Sequence, residues 1–504
     1  MKFANACRRR KNKSRNGSDK LPFCFTVRSA VALIVSMGLC CPALATTYYV
    51  SARGGDDAKS GLSTGEAWKS IARVNRTAFR PGDKIRLRRG EIWPETLRPS
   101  SSGSPGNVIT FGAYATGPKP IITGSDPSQD NAGNGSKIPA RDYNIDNNEQ
   151  SHILYEDLDL QHARQGLRIY AWTKGICDIT LRNSIVTPEQ RVGKGTAGVY
   201  ASAHSSTISD ITVANSVFRP NPTGLENWGV YLVQGVSGFR IVDNELGSAG
   251  EDAITIWHSQ DGLIAHNRGG GNGENTIDVK DSHDIVIRDN SGDGDGEYNI
   301  VVHSVDSDQL TYNVTLKENV CRRGGQQGEL TAGIALLCTR RVRVIGNVVE
   351  QAYGPGIFDN DRGQPSRNEI LQNRLAGNGT NQTTGSITLE DVADVRVTGN
   401  TVRAQGSNGF ALVVQGTRRA APVILSGNTF FPGTNRVIFL APPGEHAVLA
   451  DKNLYYSSLG TAVFRVDQQE FSFEAWQIRT GQDARSRLLP PEAIPAPFSL
   501  SQPH

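Results

Sequence analysis

The sequence predicts an all-β chain wound as a parallel β-helix, and three observations carry that expectation. Between Asp243 and Ser304 an Asn recurs at 244, 267 and 290, a period of 23 residues. In each unit a Glu stands three residues before an Ile (Glu251/Ile254, Glu274/Ile277, Glu297/Ile300), and an alternating strand starts at that Ile: ITIW, IDVK, IVVH. Asn continues at 319, 347, 373, 400 and 428, with Asn183-Ser184 and Asn215-Ser216 in the same place upstream. A fixed period of this size marks stacked coils. Stacked Asn side chains hydrogen-bond from coil to coil and tolerate the left-handed backbone of a tight turn. Spacings of 23 to 32 residues fit a solenoid with loop insertions better than a propeller of regular four-stranded blades.

Taken in order, residues 1–45 read as an export signal. Basic residues crowd Arg8 to Arg28, the apolar run AVALIVSMGLCCPALA follows, and Ala43-Leu44-Ala45 is a small-x-small cleavage site. The run is shorter than the ~20 residues a membrane span needs, so no stable membrane insertion is expected and the protein is secreted or periplasmic. This segment holds nine of the 53 basic and one of the 50 acidic residues, so the remainder carries 44 against 49, a net charge of −5. That excludes nucleic acid as the expected partner. Four of the seven cysteines (Cys7, Cys24, Cys40, Cys41) also lie in it. Cys321 and Cys338 alternate with apolar residues as small buried hydrophobes do.

Residues 46–105 read as an N-terminal cap with the first strands, Trp68, Ile71 and Val74 falling at helical spacing. From 106 to 465 the strand and turn pattern repeats, for example DITLRN, DITVAN, RVRVIGN and DVRVTGN before the turns, and GVYLV, AGIALL and GSITL after the loops. The polar, aperiodic stretch 124–150 reads as a loop excursion, and 466–504 as a C-terminal cap with Phe473, Trp476 and Ile478 on a short amphipathic helix. Asp359-Asn360-Asp361 reads as turn chemistry. The opening YYVSARGGDD…AWKSI…PGDKIRLRRGEIW, the Asn ladder and the Trp476/Gly481/Gln482/Asp483 tail resemble bacterial proteins of the pectate-lyase-like superfamily. The resemblance spans nearly the whole chain after residue 45. It implies a right-handed parallel β-helix, on which lyases, hydrolases, epimerases and adhesins are all built.

In the post-loop strands one phase points inward (Ile254/Ile256, Ile277/Val279, Ile300/Val302) and the other outward. The outward residues run from aromatic to charged: Arg168/Tyr170, Tyr200/Ser202, Tyr231/Val233, Thr255/Trp257, Asp278/Lys280 and Val301/His303. Sugar rings stack on aromatic faces and their carboxylates seek charge, so Trp257, Tyr231, Tyr200, Tyr170 and Arg168 are the expected binding strip for an acidic polysaccharide. Asp278, Lys280 and His303 are the expected catalytic group. A Lys acts as a base only when its surroundings push it well below ~10.4. Three Glu stacked at rung spacing repel one another, which either a hard cation or protonation of one member offsets; on the first reading Glu251, Asp252, Glu274 and Glu297 are the expected calcium (Ca²⁺) ligands. His204, His258, His266 and His283 form no ligand cluster by spacing.

GENTIDVKDS also resembles the Glu…Lys-x-Ser segment of the chondroitinase B and alginate lyase group. That resemblance implies Lys280 as base and Glu274 as a calcium ligand. It departs from the group in the spacing of its acidic residues, and His303 stands where an Arg is expected. The expected function is β-elimination of a uronate-containing glycan. The alternatives are an inverting glycoside hydrolase using Asp278 and a ladder Glu, and a non-catalytic polysaccharide-binding or surface protein.

Overall fold

A computed structural model describes residues 45–124, 142–188, 195–220, 227–306, 310–326, 331–379, 385–404, 410–416, 422–431, 437–441, 448–456, 463–466 and 469–490. The expected export signal therefore lies outside the described residues, except for Ala45. The chain is a right-handed parallel β-helix. Among the described residues its front sheet has 14 strands, its back sheet 16, and its third face is a six-stranded and an eight-stranded sheet joined through single bridges at Arg268. Every strand pair is parallel until the last, Val463–Val466 with Gln469–Ser472, which is antiparallel.

Register places like on like. Ile254, Ile277, Ile300, Ile334 and Ile357 form one inward row of the front sheet. Ile256, Val279, Val302 and Leu336 form the next. All are buried, each contributing roughly 1.5–3 kcal/mol relative to exposure. Two positions of this second row are polar, Asn147 on its first strand and Asp359. Asp359 follows Leu336 in its row and precedes Leu389, and its carboxylate accepts from the Asn368 side chain at 3.2 Å. Burial and the neighbouring Asp361 push Asp359 well above the usual carboxylate range. The turn reading of 359–361 is thus corrected: Asp359 belongs to strand Ile357–Asn360 and points into the core.

The Asn residues form a continuous internal ladder. Each backbone N–H and each Nδ2 donates to the Oδ1 of the next Asn, as in Asn290 to Asn319 (3.0 and 3.0 Å) and Asn319 to Asn347 (2.9 and 2.9 Å). Each Nδ2 also reaches a strand carbonyl, Ile287 O for Asn319 at 2.9 Å. The left-handed residue is the one before the Asn, not the Asn itself: Asp243, His266, Asp289, Glu318 and Gly346 all have φ between 55° and 65°. The Asn is free of that strain because it must aim its side chain down the axis. Upstream the rung is made by Ser184 and Ser216. Downstream the ladder extends to Asn453 and ends on Ser486.

The expected excursion 124–150 needs a correction. Tyr143–Asn148 is the first front-sheet strand, paired with Gln165–Ala171, because alternate residues Ile145 and Asn147 are buried. Residues 125–141 lie outside the described residues. At the N-terminal end Trp68, Ile71 and Val74 are buried around the short helix Ile71–Asn75, with Tyr48 stacked on Trp68 at 4.9 Å. At the other end helix Phe473–Thr480 starts on a Ser472 cap and stops at left-handed Gly481. Its Trp476 stacks on Phe464 at 5.4 Å and donates to buried Asp483 at 2.9 Å. Ile478, expected on the covered face, is 79% exposed, so Trp476 and Phe473, the latter 5.7 Å from Phe464, anchor the cap.

The ladder gives a stability prediction. Asn319→Ala strips a partner from two Asn290 donors and one carbonyl, so about 2–4 kcal/mol of destabilisation is expected. Asn319→Ser, the residue two upstream rungs use, loses less. Denaturant midpoints of the two variants against wild type check the order.

Candidate functional site

The outward phase of the front sheet gathers the charged residues. Trp257, Lys280 and His303 are register partners in successive rungs, and Thr255, Asp278 and Val301 are partners in the row beside them. Asp278, 3% exposed, is gripped at both oxygens: Lys280 Nζ lies 2.9 Å from Oδ2 and His303 Nε2 lies 2.9 Å from Oδ1. Lys280 Nζ sits 5.4 Å from the Trp257 ring. Trp257 Nε1 donates to Asp281 Oδ2 at 3.0 Å.

Electrostatics follow from that packing. Burial alone raises Asp278, but His303 and Lys280, each holding one of its oxygens, outweigh it and keep the carboxyl at about 2. Burial alone lowers Lys280, but Asp278 outweighs it and holds the ammonium above its ordinary range. The condition for a Lys280 base, a depressed pKa, is therefore not met. Sequence reasoning placed the two residues on one face correctly. It missed that an ion pair two residues apart on one strand would dominate the desolvation.

The Glu ladder is assembled by backbone stacking. The Glu274 N–H donates to Glu251 O at 3.1 Å, and the Glu297 N–H to Glu274 O at 2.9 Å. Burial, then Glu297 and Glu251, push the middle carboxyl, Glu274, up to about 7. Burial and Asp278 also raise Glu297. The donor set is oxygen-only, but it is spread over three successive rungs with Lys280 and His303 in its field, and among the described residues its carboxylates do not gather within 4.8 Å of one another, so the row does not form the closed cage expected for calcium. Asp252 does not share in it. Its Oδ1 accepts from Asn275 Nδ2 (2.8 Å) and N (3.2 Å), and its Oδ2 accepts from Thr255 Oγ1 (2.6 Å). Burial drives its carboxyl well above the usual range, so Asp252 is a structural link between rungs.

The aromatic strip is wider than the sequence indicated. Tyr200 and Tyr231 are register partners with rings 5.9 Å apart, and Trp228 lies 4.4 Å from Tyr231. Tyr170, Trp172 and His204 continue it, with Trp172 on His204 at 4.3 Å and Trp172 50% exposed. Burial pushes the Tyr231 hydroxyl up to about 12, which keeps it a neutral donor. Arg168 is engaged within the protein: Nε donates to Asp146 at 2.9 Å, and the guanidinium lies between Tyr143 and Tyr170 at 4.3 and 5.0 Å. Tyr143, Trp172 and Trp228 were not singled out because they lie at strand ends or inside the expected excursion.

His258, grouped with no other ligand by spacing, meets two aspartates across the rungs. Its Nε2 is 3.1 Å from Asp306 Oδ2 and 3.7 Å from Asp281 Oδ2. Among the described residues these three offer ligand atoms all within 4.8 Å of one another. Asp281 is already saturated by the backbone N–H groups of Val305 and Asp306 and by Trp257, so the trio ties the turn to the site. Among the described residues Cys177, Cys321 and Cys338 are free thiols, and no helix is long and apolar enough to cross a membrane.

Comparison with known proteins agrees with this architecture. Residues 215–402 match the family described as the periplasmic copper-binding protein NosD. A lacto-N-biosidase of Bifidobacterium longum subsp. longum is 39% identical over 83 residues, which span 15% of this chain and only 5% of that protein. A mannuronic acid specific polysaccharide family 6 lyase from human gut microbiota superposes with a TM-score of 0.51 at 13% identity, covering 90% of this chain and 92% of that one. The A-module of the mannuronan C-5 epimerase AlgE4 of Azotobacter vinelandii gives 0.44 at 14% identity, covering 81% and 91%. At 13% identity the likeness to that lyase shows the parallel β-helix fold alone.

A carboxyl near 7 between two others makes cation binding proton-linked. Any calcium that this row takes up at pH 7 must displace a proton from Glu274, and Glu274→Gln is expected to abolish that release. Titration calorimetry in two buffers of different ionisation enthalpy measures it. Proton-independent binding, or none, removes the Glu ladder as a cation site.

Proposed function

We propose that this protein is an exported carbohydrate-active enzyme that cleaves an acidic polysaccharide by β-elimination on the front sheet. The carrying observation is the buried Asp278 carboxylate gripped by Lys280 and His303 at 2.9 Å each, beside an aromatic strip and under a row of carboxylates. The basic, apolar leader supports export. The relatives' printed activities on glycans agree with the substrate class.

The residue roles follow from charge state. Lys280, held protonated, offsets the carboxylate of a bound uronate and the extra charge that collects there when the α proton leaves. Asp278 orients the His303 ring through Nε2, which leaves the other ring nitrogen to take that proton. The proton passes from the α carbon to His303, the β carbon–oxygen bond breaks, and the leaving oxygen takes a proton. Glu274, pushed to about 7, is the group in this row suited to supply it. Tyr170, Tyr200, Tyr231 and Trp257 bind sugar faces, joined by Trp172 and Trp228.

One observation favours hydrolysis as the second reading. Asp278 at about 2 and Glu274 at about 7 are carboxyls whose surroundings push them apart, the pattern of an acid and base pair. The test is a screen of alginate, pectate, glycosaminoglycans and bacterial exopolysaccharides, reading ultraviolet absorbance of unsaturated uronate and reducing ends together. Elimination gives both signals, and Asp278→Asn, Lys280→Gln and His303→Ala each lower the rate by about 10²-fold or more. Reducing ends without absorbance establish hydrolysis instead. Silence in both channels rejects catalysis on these polymers.

A further inference from the structure

We propose that a second anion-binding site lies at the corner between the front and back sheets, C-terminal to the Asp278 centre, and that it takes the carboxylates of an acidic sugar chain. A groove of about 510 Å³ there is lined by Leu310, Tyr312, Arg340, Arg341, Pro365 and Arg367, among others. Arg340 and Arg341 follow the strand Ala332–Leu337, the rung after His303. Arg367 follows the strand one rung further, Ile357–Asn360.

The groove is chemically one-sided. Among the described residues neither Arg340 nor Arg341 forms an ion pair, and both are exposed. Arg367 has Asp394 at 3.4 Å but remains 76% exposed. The Arg341 guanidinium lies 5.3 Å from the Tyr312 ring, and that ring stacks on His283 at 4.5 Å and 8°. The stacking fixes an aromatic platform beside planar, fork-shaped cations, which pair with carboxylates through two parallel hydrogen bonds. Asp361 and Asp284 act on Arg340 and Arg341 without reaching ion-pair distance, so both guanidiniums keep their hydrogen-bond donors for a bound polyanion. With a net charge of −5 after residue 45, the surrounding surface disfavours nucleic acid and suits a sparsely charged chain.

Its position relative to the site gives the groove a role. From the rung of Asp278 to that of Arg367 is three steps along the axis, about 14 Å at the ~4.8 Å spacing of a sheet. Beyond His303 the outer face of the front sheet is closed by a buried apolar cluster of Tyr298, Val301, Ala335 and Phe358. A chain leaving the Asp278 centre is thereby turned toward the corner where the arginines stand. This placement as a distal subsite rests on the cleavage reading above, whereas the anion site itself does not.

The experiment compares the full-length protein with Arg340→Ala/Arg341→Ala and with Tyr312→Ala, using hexagalacturonate, hexamannuronate and neutral cellohexaose as probes. The double variant is expected to bind the preferred acidic hexamer about tenfold more weakly, with a shallower salt dependence. Tyr312→Ala weakens it less, and circular dichroism and melting temperature stay at wild-type values because these arginines are exposed. On polymer the double variant raises KM and leaves kcat unchanged. Acidic-hexamer binding that needs the arginines, in a protein that cleaves nothing, sustains the groove and removes the cleavage reading. Cleavage with unaltered KM and hexamer binding within twofold of wild type overturns the groove and leaves the cleavage reading standing. A wild-type protein that binds no acidic hexamer also overturns it.

Discussion

The hydrogen-bonded stacking of one coil on the next is the constraint on which everything else rests. A parallel coil cannot close its own backbone pairs, so each rung is satisfied only by its neighbours. The internal ladder from Ser184 to Ser486 makes that dependence sequence-specific: an amide at the turn satisfies a donor and an acceptor in the adjacent rungs. It therefore fixes register, and register decides which side chains meet. Lys280 lies beside Trp257 and His303 because Ile254, Ile277 and Ile300 are stacked, not through any local attraction.

The same stacking explains the electrostatics. A rigid rung spacing forces Glu251, Glu274 and Glu297 together, and the middle one carries the consequence. Asp278 sits in the same field yet stays ionised, because Lys280 and His303 each reach one of its oxygens. Carboxyls four residues apart on one rung thus occupy opposite ends of the titration range. A few ångströms of placement decide between proton carrier and fixed charge.

The inward and outward phases, the Asn repeat and the grouping of Asp278 with Lys280 and His303 were legible because period-2 alternation and a fixed polar position are one-dimensional signals. What failed to show depends on three dimensions. Lys280 as a base required knowing that Asp278 would fold back onto it. Asp252 as a ligand required knowing that Asn275 and Thr255 would consume its oxygens. The strand at Tyr143–Asn148 was hidden by a polar exterior, with buried Asn144 and Asn147 standing where apolar residues usually signal a strand. Arg340, Arg341 and Arg367 lie in unrelated turns until the coils superimpose them.

The antiparallel strand Gln469–Ser472 and the helix after it have a consequence for assembly. A parallel coil left bare is a template onto which another molecule's first coil could dock, extending the rod indefinitely. The front sheet instead ends on a strand of reversed direction, beneath the Trp476 side chain. The molecule's length is thereby set by its own chain, and a filament of end-joined copies is forbidden at this end.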